Sequence, residues 1–184
     1  MNDEDAERTF RAEWESPGSW FLQARGLYAA AQRLDPTKHP CRDDEEALSF
    51  HAEHDLLVGL AFENLLKGFI VLVRLELGHS PALPKECYVH ELEFLASRSE
   101  CAALEISADE LVLFTRLSPY IIWAGCYPVP KKAKEMIVQA WSGEHEAEDR
   151  LWKRISPLLY ERAWIMKGGP ESMGGSKLFF KHSA

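Results

Sequence analysis

The apolar run from Asp55 to Arg74 is interrupted by three charged residues, Glu63, Lys67 and Arg74, at helical spacing. At about 100° per residue these three fall within about 40° of one another, while Val58, Ala61, Phe62, Leu65, Phe69 and Leu72 cluster on the opposite side. The pattern predicts one helix carrying a wide core face and a narrow charged seam. A helix with so broad an apolar surface must be wrapped by others.

The same periodicity predicts the wrapping elements. A helix begins near Ser16, Pro17 or Ser19, residues suited to a cap or first turn, and runs to about Leu34 with Trp20, Ala24, Leu27, Tyr28, Ala31 and Leu34 on one face. Asp35 and Pro36 end it. Asp43 or Asp44 caps the long central helix, with Glu45 and Glu46 in its first turn, and Gly78 and Pro81 stop it. A short helix is predicted near His90 with Leu92 and Leu95. Ser107 and Glu110 form a capping box ahead of Leu111, Phe114, Leu117, Ile121 and Ile122, a helix expected to stop around Gly125. Lys131 to Trp141 reads as a further short helix. A final helix from about Glu144 ends at Gly168, Gly169 and Pro170, with Pro157 as a kink. No segment alternates like a strand.

The predicted fold class is therefore all-α, an antiparallel bundle of four to five main helices with short accessory helices. Residues 1–15 read as an acidic, partly disordered lead-in in which Trp14 can dock. Residues 16–167 read as a single bundle domain. Residues 168–184 read as a Gly-rich tail whose Leu178, Phe179 and Phe180 must dock on the bundle, reach a partner or stay exposed.

Composition narrows the function classes. With 184 residues, 46% hydrophobic and 27% charged, the chain fits one globular domain. The net charge of −8 is uneven: residues 1–127 hold 11 Lys+Arg against 22 Asp+Glu, and residues 128–184 hold 10 against 7. An acidic surface disfavours non-specific nucleic-acid binding, so a polyanion would prefer the C-terminal third. Cys41, Cys87, Cys101 and Cys126 form no C-x-x-C pair and no leading apolar segment is present, which predicts a reduced, cytoplasmic protein. Glu63 and Lys67 sit mid-run and argue against a membrane span.

Candidate chemistry is sparse. Glu63 and Lys67 are spaced i, i+4 in the favourable order, either as a surface ion pair or as a partly buried pair that orients neighbouring groups. Arg74 can present a guanidinium to a carboxylate or phosphate. His51, His54 and Asp55 lie on neighbouring turns, but nothing nearby supplies the other ligands that a structural metal needs, so no metal site and no cofactor are expected. His90-Glu91 and His145-Glu146 fail as zincin starts because Phe94 and Asp149 stand where the second histidine belongs. Trp123 and Tyr127 bracket a glycine turn stiffened by Pro128 and Pro130, either as core plugs or as a pocket wall. Lys131, Lys132 and Lys134 follow as a solvated face or an anion site.

The motif Ala61, Glu63, Asn64, Leu65, Leu66, Lys67 and Gly68, then His90, Glu91, Leu92 and Leu95, then Tyr120 and Trp123 to Pro130, resembles the HEPN family, the helical domains named for nucleotide binding in higher eukaryotes and prokaryotes. The resemblance covers roughly Ser19 to Pro130. It implies a bundle of four or five helices that usually dimerises, with members that cleave RNA as toxins and members that partner minimal nucleotidyltransferases. The ribonuclease members use R-x(4 to 6)-H. Here Arg74 with His79 and Arg33 with His39 fit that spacing, with Leu75 and Leu34 in place of the usual polar residue. Cys126 stands where the resemblance leads one to expect an arginine before the Tyr-Pro step.

These features together predict a HEPN-like, homodimeric, non-catalytic binding or partner module in a nucleotide- or RNA-linked system, of the nucleotidyltransferase-partner or toxin-antitoxin type. Its groove would be lined by Glu63, Lys67, Arg74, His90, Trp123 and Tyr127. Lys67 and Arg74 would meet an anionic ligand or partner carboxylate, with Glu63 orienting them and His90 at the mouth. One alternative is a metal-independent ribonuclease using Arg74 and His79. Another is a structural adaptor that associates through Leu178 to Phe180.

Overall fold

Asp43 accepts a hydrogen bond from the Glu46 amide at 2.8 Å and caps the central helix, whose first turn carries Asp44, Glu45 and Glu46 against the positive end of the helix dipole. The computed structural model describes residues 3–124 and 145–166. Within them the chain is all-α, with no strand among the described residues. The main helices are α1 (Asp3–Trp14), α2 (Pro17–Leu34), α3 (Asp44–Glu76), α4 (Leu92–Ala96), α5 (Ala108–Pro119) and α6 (His145–Met166). Short 3₁₀ turns at Lys85–Cys87 and Ser99–Leu104 and a π turn at Tyr120–Ala124 complete the order.

α3 is the hub. Phe62, Leu65, Leu66, Phe69, Ile70 and Leu72 are all sealed from solvent, and with the buried Ala61, Gly68 and Val71 they lie around most of the helix's circumference. α2 covers one flank through Phe21, Ala24, Tyr28 and Ala31, whose spacing of three and four residues keeps them on one stripe. α6 covers another: Trp152 stacks on Tyr28 with ring centroids 4.2 Å apart and meets Phe62 edge-on at 5.9 Å. α5 places Phe114 edge-on against Phe62 at 5.4 Å. The close approach depends on two glycines of α3. A Cβ at Gly68 would stand 2.7 Å from Leu159 and 3.0 Å from Trp20, and one at Gly59 would stand 2.7 Å from Ile121. By length and composition α3 could cross a membrane, yet 72% of its most apolar window is buried inside the molecule.

Local signals explain most boundaries. Ser16 caps α2 through the Ser19 amide, with Pro17 in its first turn. Ser107 and Glu110 close the predicted capping box at 3.3 and 2.8 Å. Gly78 takes a φ of +71° just past α3. Two segments depart from expectation. The lead-in forms helix α1 from Asp3, supported by the Asp5–Arg8 and Glu7–Arg11 ion pairs, and Trp14 docks between Trp20 and Tyr88. The helix expected to run to Gly125 instead changes pitch after Pro119, which has no N–H for the Thr115 carbonyl, and Tyr120–Ala124 continue as a π turn. Pro157 lies inside α6, which continues to Met166. The predicted Lys131 to Trp141 helix and the Leu178 to Phe180 tail lie outside the described residues.

Cys41, Cys87 and Cys101 are free thiols, and burial pushes Cys101 up to about 12, as expected of a core residue with little thiolate character.

Candidate functional site

Two polar constellations stand on α3, one facing outward near its middle and one enclosed nearer its start. In the first, Glu63 holds two cationic or imidazole partners at once. Its Oε1 accepts from Lys67 Nζ at 2.6 Å, and its Oε2 lies 2.9 Å from His90 Nδ1. The Glu63 and Lys67 side chains are each 8% exposed, whereas His90 is 56% exposed. The pair is therefore buried, which costs several kcal/mol of desolvation per ion unless every charge is matched, as here by geometry close to ideal. An ionised carboxylate only accepts, so the short contact has His90 Nδ1–H donating, and Nε2 is the ring's second polar atom. Tyr88, on the same loop and 54% exposed, packs on Trp14 at 5.8 Å, and Trp14 stacks in turn on the exposed Phe10.

The other sequence candidates lie elsewhere. Arg74 does not join Glu63 and Lys67: its Nε donates to the Ser80 carbonyl at 3.1 Å, because seven residues from Lys67 carry it about 10 Å along the axis. His79 is exposed and its amide bonds the Arg74 carbonyl at 2.8 Å, so the two share the C-terminal turn of α3. Arg33 and His39 are both exposed at the end of α2. Trp123 is half-buried in the π turn, and Tyr127 and Lys131, Lys132 and Lys134 lie outside the described residues.

The second constellation is the one the sequence did not assemble. His54 and Asp55, which looked two ligands short, meet His145 and Glu148 from the first turn of α6, and all four are buried. One His54 ring nitrogen lies 3.2 Å from His145 Nδ1, and the other lies 3.3 Å from Asp55 Oδ1 and 3.8 Å from Glu148 Oε2. Arg116 of α5 spans the two carboxylates, donating to Asp55 Oδ2 at 2.7 Å and to Glu148 Oε1. His51 stacks against His145 with centroids 5.5 Å apart.

The electrostatics of this centre follow from burial and neighbours. Burial pulls His145 down, but the Glu148 carboxylate 3.7 Å away and the charges of Asp35 and Asp55 outweigh it, and the net shift is upward. His51 goes the other way, lowered by burial and by the charge of His145. On the flank, Asp149 accepts from Tyr28 and Gln32 and pairs with Lys38, which also pairs with Asp35. Burial opposes ionisation of Asp35, yet the Thr37 hydroxyl and amide and Lys38 hold its carboxyl down at about 2.

The signal for this centre was present but split. His51-x-x-His54 and His145-x-x-Glu148 each place two donors on consecutive turns, and only the packing of α3 against α6 unites them. Comparison of the chain with protein-family models, with curated proteins and with solved structures finds no match.

Proposed function

We propose that this chain is a non-catalytic, HEPN-like binding module, acting as a cytoplasmic homodimer in a nucleotide- or RNA-linked system, and that the surface around His90 is its recognition site. The observation that carries the reading is the Glu63 bridge, in which a buried ion pair fixes the one exposed member, His90, through its Nδ1. Holding an imidazole in one orientation at the surface gains little stability, whereas it prepares a directed hydrogen bond for a ligand. Tyr88, two residues before it on the same loop, begins an aromatic row that continues through Trp14 to Phe10, suited to stacking a nucleobase. The acidic N-terminal two-thirds favours a mononucleotide or a short single strand over a long polyanion. In this mechanism His90 touches the ligand, Glu63 positions it and Lys67 anchors Glu63 through their ion pair; Arg74 takes no part.

The test is titration of the full chain with AMP and with a short RNA oligomer, followed by imidazole and aromatic NMR shifts. Binding should perturb His90 and Tyr88, and His90→Ala should weaken it about tenfold, the value of one hydrogen bond of about 1.4 kcal/mol. Unchanged affinity in His90→Ala and Tyr88→Ala would refute the reading. Metal-independent RNA cleavage lost in His79→Ala would replace it with the ribonuclease.

A further inference from the structure

We infer that His54, Asp55, His145 and Glu148 form a structural site for a divalent first-row transition-metal ion, with zinc the best match to the donors. One donor atom from each of the four lies within 4.8 Å of all the others. Ligands at about 2.0 to 2.2 Å in a tetrahedron stand about 3.4 Å apart, close to the observed 3.2 Å between the two imidazoles and 3.7 Å between His145 Nδ1 and Glu148 Oε2. Two imidazoles with two carboxylates suit zinc better than calcium or magnesium, which take oxygen almost alone.

Two further observations point to a cation. The first is charge: among the described residues, Asp55 and Glu148 set two carboxylates against one guanidinium, that of Arg116. The second is an orphaned acceptor. Glu148 is fully buried, yet its Oε2 receives no hydrogen bond among the described residues. A doubly protonated His54 would balance the charge, with Nε2–H toward His145 and Nδ1–H toward Asp55 at 3.3 Å, yet at 3.8 Å it leaves Glu148 Oε2 without a hydrogen bond. A metal ion takes the imidazole lone pairs and Glu148 Oε2 together. Arg116 then acts as the outer partner that holds both carboxylates in place through their remaining oxygens.

The ion would tie α3 to the first turn of α6 across 91 residues of sequence. Enclosure of all four donors fits a structural role, in which binding energy becomes folding energy.

The experiment uses the full chain, freed of metal by chelator, and titrates Zn²⁺ by calorimetry and Co²⁺ by visible absorbance. One ion per chain, intense tetrahedral Co²⁺ bands displaced by Zn²⁺, and a higher Tm with Zn²⁺ are expected. Glu148→Gln, which keeps the side-chain shape, and His145→Gln should each weaken Zn²⁺ at least about 100-fold, while His39→Ala at the surface leaves it unchanged. Absence of the Co²⁺ bands in the unmodified chain overturns the inference whatever the variants do. So does Zn²⁺ binding that survives Glu148→Gln and His145→Gln, which would mark adventitious surface binding.

Discussion

The two polar centres on α3 are built from similar residue types but by different means. Glu63 and Lys67 find each other within one turn of a helix, and His90 arrives 27 residues later on a neighbouring loop. His54 and Asp55 meet Arg116 across 61 residues and His145 across 91. The local centre keeps one face in water and matches each charge with a partner. The distant centre is buried and, among the described residues, sets two carboxylates against one guanidinium. A cluster assembled by long-range packing thus carries the stronger demand for a compensating cation, and it has fewer ways to relax if a member is lost.

The sharpest way to break this contrast is Arg116→Met. It leaves Asp55 and Glu148 facing each other without their guanidinium, and stability to denaturant should fall by about 3 to 5 kcal/mol, read from urea melts. A loss under 1 kcal/mol would mean that the guanidinium bridge contributes little to the fold. Lys67→Met should cost less, about 2 kcal/mol, because Glu63 keeps its contact with His90. Adding Glu63→Gln to it should recover part of that loss, and a cycle showing no coupling would remove the bridge as an energetic unit. Acid titration probes the flank of the enclosed centre. Asp35 is held at about 2 against an ordinary 3.8, so its contribution is complete above pH 4 and disappears as pH falls through 2. Comparing unfolding of the unmodified chain with Asp35→Asn should show a gap of about 2 kcal/mol near pH 5 that closes by pH 2. A gap that does not close would assign Asp35 a packing role.

What the chain disclosed in advance follows the same division by distance. Caps at Ser16, Asp43 and Ser107 were readable because a cap is settled by residues three positions apart. The Glu63–Lys67 pair was readable for the same reason, but its spacing fits a surface pair as well as a buried one, and only the packing of other elements over it decides for burial. Arg74 was misplaced with them because angular position on a helix was weighed without axial distance. α1 was missed because its helicity rests on charged pairs and on Trp14 docking, neither of which produces an apolar stripe. The enclosed centre was half visible: His54 and Asp55 were noticed, but the partnership with His145 and Glu148 depends on which helix packs against α3 and at what height, and no local pattern encodes that.

The girth of α3 has a consequence for biosynthesis. A ribosome releases α2 before α3, so the first cover for the greasiest segment already waits outside the exit tunnel when that segment emerges. α6 arrives last. Until it does, the Gly68 slot that receives Leu159 lies open, and a nascent chain stalled at that point offers chaperones and other stalled chains an unsealed apolar seam.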